Sequence, residues 1–324
     1  MNYKKIVVAG GGILGTQIAF QSAYSGFDVT ILIREEDSAD SLYEKLYKLY
    51  NTYVNTIEYM DTVEGKEPSN WCRGIASKDS FNKEECTNKA LNAVKNIHVE
   101  TSQEVALKDA DLVIESITEN FDIKAKFYEQ IAPLLEEKTV IVTNSSTLLP
   151  SKLAKYTGRP NKYLALHFAN EIWKNNIAEV MGHDNTDTLY FDEITSFAEA
   201  IHMIPLPARE EKSGYLLNSM LVPFLLSAMD LVANGVSDPE SIDKAWTIGT
   251  GAPKGPFAII DVVGLTTARD IVMQYQKVPN IFDPLLKKMM LPYNYDGMLD
   301  ILNKYIDEGK LGKVSGEGFY KYNK

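Results

Sequence analysis

The chain has 324 residues, 45% of them hydrophobic and 24% charged, with a formal net charge of -11. That describes a globular protein long enough for two cores and excludes a disordered or fibrous one. The acidic balance also excludes a general nucleic-acid or membrane-surface binder, because either surface would repel the averaged field.

Lys5-Ile6-Val7-Val8-Ala9 is a short apolar run closed by glycines, the pattern of a strand buried on both faces. Nothing like an apolar leader precedes it and no window approaches eighteen apolar residues, so a cytoplasmic protein without a membrane segment is expected. A helix from Leu14 to Ser25 stops at Gly26, and a second strand runs from Asp28 to Ile33. From Ser41 to about Ile97, Leu42, Leu46, Leu49 and Tyr53 recur at helical spacing around a turn at Gly65 to Pro68, which predicts an inserted helical hairpin.

Strands resume at Asp111 to Glu115 and Val140 to Thr143, with a helix from Lys124 to Leu135 between them. Two more are predicted at Tyr163 to Leu166, ending at His167, and at Ile177 to Met181; a helix from Asp187 to Ile201 leads to a last one at Met203 to Leu206. Beyond Arg209 only helical periodicity remains, over Leu216 to Asn234, Pro239 to Thr250, Thr266 to Gln276 and Leu299 to Glu308. The expected fold is α/β, a doubly wound Rossmann-type domain over residues 1–209 with the hairpin inserted, followed by an all-helical domain over 210–324. Apolar faces in that helical half make a homodimer the expected assembly. Cys72 and Cys86 are too few for a disulfide framework and no Cys or His stands at zinc-finger spacing, so reduced thiols, with one bridge left open, and no metal are expected.

The strand-turn-helix at Gly10-Gly11-Gly12-Ile13-Leu14-Gly15 is a dinucleotide fingerprint in its proper context. The turn must be tight, and the backbone must approach a pyrophosphate resting on the helix N-terminus; Gly10, Gly12, Ile13, Leu14 and Gly15 are the expected contacts. An NAD site would place Asp or Glu at the end of the second strand, but Ile33 and then Arg34 stand there. Arg34 is suited to a 2′-phosphate and leans the reading to NADP. The following Glu35, Glu36 and Asp37 can take the ribose role or repel that phosphate, and Arg34 can be a solvated charge; NAD and NADP both stay open.

His167 ends one strand and Glu179 lies in the next. Hydride leaves a carbinol carbon only if the hydroxyl proton leaves too, so a base with a pKa near working pH is needed, and imidazole fits; a carboxylate orients the ring and stabilises the imidazolium. Ser146 and Asn218 would fix the reacting oxygen and the adjacent carbonyl. Ser146 can instead cap a helix starting near Leu149, and Asn218 can be a buried polar residue. His98, His183 and His202 have no evident partners and read as structural or exposed, and the Met289-Met290-Leu291 cluster reads as packing surface.

The chain resembles the short 3-hydroxyacyl-CoA dehydrogenases, bacterial 3-hydroxybutyryl-CoA dehydrogenases among them. Five further segments carry the resemblance: Val113 to Asn120, Thr143-Asn144-Ser145-Ser146, Leu166-His167-Phe168 with Glu179, Gly251 to Phe257, and Gly316-Glu317-Gly318-Phe319-Tyr320. It implies His167 as catalytic histidine, Glu179 as its partner, Ser146 on the substrate oxygen and Asn218 near the acyl group. It also implies Glu119, Lys124 and Asn144 along the nicotinamide side, a dimerising helical domain, and an acyl-CoA substrate of fatty acid metabolism, interconverted between its (3S)-hydroxy and 3-keto forms.

Two departures bear on the substrate. Where the family has a proline-rich loop after the histidine, this chain has Phe168-Ala169-Asn170-Glu171-Ile172-Trp173, which is expected to reshape the pocket. The hairpin, which in relatives helps hold CoA phosphates, sets Lys45, Lys48, Lys66 and Arg73 among many acids. A dehydrogenase of a small free hydroxy acid or sugar acid is therefore the alternative, and a non-catalytic dinucleotide-binding protein the third reading.

Overall fold

A computed structural model of the chain describes residues 3–35, 38–276 and 293–322. Glu36, Asp37 and the Met289-Met290-Leu291 cluster lie outside the described residues. The chain divides into two compact units, residues 1–216 and 217–324.

The first unit is built on eight strands: β1 (Lys5–Ala9), β2 (Asp28–Leu32), β3 (His98–Glu100), β4 (Leu112–Glu115), β5 (Val140–Thr143), β6 (Tyr163–Phe168), β7 (Ile177–Met181) and β8 (Ile204–Ala208). Their order in the sheet is β3-β2-β1-β4-β5-β6-β7-β8. The pairs from β3 through β6 are parallel, and the order reverses between β1 and β4, which opens the crevice where such folds take their ligands. The link from β6 to β7, residues 169–176, is shorter than the dozen or so residues a helical crossover requires, so β7 turns back antiparallel to β6.

Alternate residues of each strand go to opposite faces. Ile6, Val8, Ile114, Leu166 and Phe168 join one core with helices α1 (Ile13–Tyr24), α2 (Ala39–Met60) and α3 (Lys83–Asn96). Val7, Ala9, Val113 and Ile141 face the other way, against α4 (Gln103–Leu107) and α5 (Phe121–Ile131). A four-residue α6 (Pro150–Leu153) follows β5, and α7 (Thr188–Ala200) covers β7 and β8 on the first face. The predicted hairpin is present as α2 and α3; its helical leucines Leu42, Leu46 and Leu49 are buried.

The expectations missed β3 and α4, which at three and five residues are too short to display a period. They also ended the last strand at a proline. β8 instead runs through Pro205 and Pro207, which is allowed because it lies at the sheet's edge, where alternate N–H groups have no strand to bond.

The second unit holds α8 (Leu217–Ala233), α9 (Pro239–Thr250), α10 (Pro256–Val263), α11 (Leu265–Gln276) and a further helix, Tyr295–Asp307. Its core includes Leu226, Met229, Phe257, Ile260, Met298 and Leu302. Two buried carboxylates pin it. Asp243 accepts the Phe257 and Ala258 N–H groups at 2.8 and 2.9 Å, capping α10, which the expectations missed. Asp261 accepts Phe319 N–H, Tyr320 N–H and Tyr322 O–H, and burial pushes its carboxyl up despite those donors. Among the described residues no helix is long and apolar enough to cross a membrane.

Candidate active site

Gly10 follows β1 with φ at +118°, and a Cβ there would stand 2.4 Å from the Ser116 carbonyl oxygen at the end of β4. Only glycine serves where the two strand ends approach so closely. Gly12 is different: it is the N-cap of α1, makes no side-chain cap, and a Cβ on it would meet nothing within 4 Å. The protein's own packing does not demand glycine at Gly12; the space before the first-turn N–H groups does, if a phosphate is to lie against them. No acid stands in that first turn, and Ile13 is 73% exposed beside it. The turn therefore fits a dinucleotide pyrophosphate. Gly10→Ala is expected to cost about 2 kcal/mol or more of stability, whereas Gly12→Ala should leave the melting temperature unchanged and weaken dinucleotide binding about tenfold. Calorimetric melts and a nicotinamide titration would check both; equal melting losses for the two variants would contradict the distinction.

At the end of β2, Ile33 is buried, and Arg34 and Glu35 are exposed. Lys45 of α2 reaches back, its ammonium donating to the Gly11 carbonyl at 3.0 Å, so one of the hairpin bases is spent on the glycine turn. Lys66 pairs with Asp61 at 3.2 Å in the linker between α2 and α3.

The antiparallel register of β6 and β7 sets His167 directly opposite Glu179, both on the face away from α1. Opposed Cβ atoms stand about 5 Å apart, a span the two side chains close. Glu179 Oε2 accepts the proton of His167 Nδ1 at 2.8 Å, and on the far side of the ring Nε2 lies 3.1 Å from the Ser146 hydroxyl. A carboxylate at Nδ1 requires the proton there, which leaves Nε2 as the acceptor. His167 and Glu179 are 5% and 1% exposed, so the bond between them is shielded from solvent.

The segment after β8 locks this arrangement. Tyr215 stacks its ring on His167 with centroids 4.5 Å apart and planes within 10°, and its hydroxyl donates to the Ser145 carbonyl at 2.8 Å. The Leu216 N–H donates to the second oxygen of Glu179 at 2.8 Å, and Gly214 N–H to the Ser146 carbonyl at 3.2 Å. Tyr215 is held at φ +51°, a left-handed conformation that a bulky residue keeps only when its surroundings enforce it.

Ser146 caps no helix. Ser145 instead accepts the Leu148 N–H and donates to Glu119 at 2.6 Å. Burial opposes ionisation of Glu119, yet the Ser145 hydroxyl, the Lys124 ammonium and Thr147 together hold its carboxyl below the usual range. Asn144 bonds both ways, to the Ser116 hydroxyl and from the Phe168 N–H. Lys124, 1% exposed, lies between Glu119 at 3.3 Å and Glu115, to which it donates. Glu115 is fully buried and also accepts from Tyr128, Thr143 and the Ile117 N–H.

Asn218 stands in the first turn of α8, in the second unit. Trp173, expected to reshape the pocket, is instead buried in the core with its ring 5.5 Å from that of Tyr53 on α2. Cys72 and Cys86 are free and buried, and burial pushes the Cys72 thiol up. His183 is tied to the Pro160 carbonyl at 3.1 Å, and His98 opens the short β3. Sequence reasoning gave Tyr215 and Glu115 no role. The signal for Glu115 was a charged residue ending a fully apolar strand; for Tyr215 there was only its place after Gly214.

Comparison with known proteins adds the following. The NAD-binding-domain model of the 3-hydroxyacyl-CoA dehydrogenase family matches residues 5–211, and the C-terminal-domain model of that family matches residues 214–322. A solved diketoreductase structure, described for dual catalysis of dicarbonyl compounds, is 42% identical with a TM-score of 0.81, covering 99% of this chain and 100% of that one. Hydroxyacyl-coenzyme A dehydrogenase, mitochondrial, of Homo sapiens is 28% identical over 319 residues, 98% of this chain and 91% of the relative. The 3-hydroxybutyryl-CoA dehydrogenase of Clostridioides difficile is 28% identical over 321 residues, 99% and 100%.

Proposed function

Because the chain belongs to the 3-hydroxyacyl-CoA dehydrogenase family, NAD-dependent oxidoreductases, we propose that it interconverts a (3S)-hydroxyacyl and a 3-ketoacyl compound, with His167 as the general base and Glu179 as its partner. The observation that carries this reading is the unbroken hydrogen-bonded line from Ser146 through His167 to Glu179 at the carboxyl end of β5 and β6. When bound, the nicotinamide supplies the hydride acceptor or donor. Gly10, Gly12 and Gly15 would hold its pyrophosphate, and Glu119, Lys124 and Asn144 its nicotinamide side.

A substrate hydroxyl seated between Ser146 Oγ and His167 Nε2 gives its proton to Nε2, while Glu179 keeps Nδ1–H in place and balances the positive charge on the ring. In the reducing direction the imidazolium returns that proton to the forming alkoxide. Ser146 donates to the same oxygen. Tyr215 covers one face of the imidazole and limits its tilt.

Nicotinamide absorbance with acetoacetyl-CoA, run with NADH and with NADPH, tests the reading; no turnover with either, in folded protein that binds the dinucleotide, would remove the CoA thioester from it. One observation favours a second substrate class, a small free dicarbonyl or hydroxy acid: the 42% identity to a diketoreductase. The hairpin is consistent with it, since Lys45 and Lys66 are already engaged. The same assay with a free dicarbonyl compound that carries no CoA separates the two classes. Without a carboxylate in the place of Ile33, Arg34 supports recognition of a 2′-phosphate; Arg34→Ala is expected to shift the NADPH to NADH preference about tenfold towards NADH. An unchanged ratio would mean that Arg34 is only a solvated charge.

A further inference from the structure

The structure assigns a second small-molecule site to the first unit, on the face of the sheet opposite His167 and Glu179: a cavity for an anion with an apolar body, a phosphate or carboxylate carried on a ring or short chain.

The cavity, about 420 Å³, lies between the linker of the helical hairpin and the starts of β7 and β8. Trp71, Met203 and Ile204 supply its apolar lining. The parity of the strands separates it from the catalytic groups. Trp71 and Met203 belong to the same core as Leu166, Phe168, Ala178 and Val180, while His167 and Glu179 alternate with those residues and point the other way. A ligand here would compete with neither the base nor the reacting oxygen.

Arg73, Lys78 and His202 all line this cavity, and among the described residues no carboxylate does. The chain has 44 Asp and Glu against 33 Lys and Arg, so such a grouping runs against its overall charge. Each is held differently. Lys78 donates to the Lys66 carbonyl at 2.7 Å and lies 5.7 Å over the Trp71 ring, which fixes the ammonium at the cavity. His202 sits at φ +61° with its own carbonyl bonded by the Asn176 amide at 2.9 Å. A left-handed histidine so anchored marks a backbone held in place by its surroundings. Arg73 is exposed and, among the described residues, makes no hydrogen bond or ion pair. Its guanidinium is therefore available for bidentate capture of a phosphate or carboxylate. Burial, and after it the Lys89 ammonium, push the His202 imidazole down, so Arg73 and Lys78 are the charged groups the cavity offers an anion. The volume falls within the range of small-ligand pockets, and apolar walls with a few convergent polar groups are their usual makeup.

The test uses the full chain saturated with NADH, so that the dinucleotide site is filled, and titrates it calorimetrically with phenyl phosphate, benzoate and inorganic phosphate. Phenyl phosphate or benzoate is expected to bind at least about tenfold more tightly than inorganic phosphate, and the tighter of the two identifies the head group. The Arg73→Ala/Lys78→Ala double variant, altered only at exposed positions, should lose at least about tenfold of that affinity and keep its NADH affinity and melting temperature. Equal binding of inorganic and phenyl phosphate, binding that survives in the double variant, or no saturable binding of either organic anion would overturn the assignment.

Discussion

Replacing His167 with glutamine is expected to lower kcat by about a thousandfold while dinucleotide affinity stays within about twofold. The side chains are close in size, and glutamine can still meet both Ser146 and Glu179 by hydrogen bonds. What it lacks is a ring nitrogen with a free lone pair to take the substrate proton. The proposed base, His167, stands near the end of β6, whereas the glycine turn that fits the pyrophosphate is formed by β1 and α1, so the two functions are expected to separate cleanly. The measurement is steady-state turnover beside a fluorescence titration of NADH. Full turnover would remove His167 from the mechanism. Loss of NADH binding would mean that the substitution had disturbed the fold, and a circular dichroism melt would show it.

Replacing Glu115 with alanine is expected to destabilise the first unit by about 3 kcal/mol, at the lower end of what breaking a buried ion pair costs, and to lower its thermal midpoint by roughly 10 °C. Glu115 is fully buried and receives the Lys124 ammonium, two hydroxyls and one backbone N–H. Removing it strands those donors away from water, and the charged one dominates the loss. Glu119, 3.3 Å from the same ammonium, limits the damage, which is why the lower end of the range applies. Glu115→Gln keeps acceptors for Tyr128 and Thr143 and should recover part of the loss. Because Lys124, Glu119 and Ser145 form one line, the alanine variant should also raise the KM for the nicotinamide. A midpoint within about 2 °C of the parent would show that the network is not holding the end of β4.

The fold was legible where its causes are local. An apolar run closed by Gly10 and Gly12 specifies strand, turn and helix within twenty residues, because φ freedom, backbone approach and helix-start geometry are properties of those residues. The hairpin leucines likewise declared their helix, and α10 and β3 escaped notice because short elements carry too few residues to show a period.

By itself the sequence determined the fold class and the roster of chemical groups: His167, Glu179, Ser146 and the glycine turn, each at a strand end or turn that the residue pattern locates. Only the tertiary structure decided which groups meet. Eleven residues separate His167 from Glu179, a spacing compatible with either face of the sheet. The antiparallel pairing of Ala165 with Met181 sets them opposite one another, and a slip of one residue would turn Glu179 into the other core. The stacking of Tyr215 on His167, the placing of Lys45 on the glycine turn, and the cavity that His202 shares with Arg73 and Lys78 likewise join residues far apart in the chain. Such contacts depend on register and on the packing of whole elements against one another, quantities that no local pattern of residues contains.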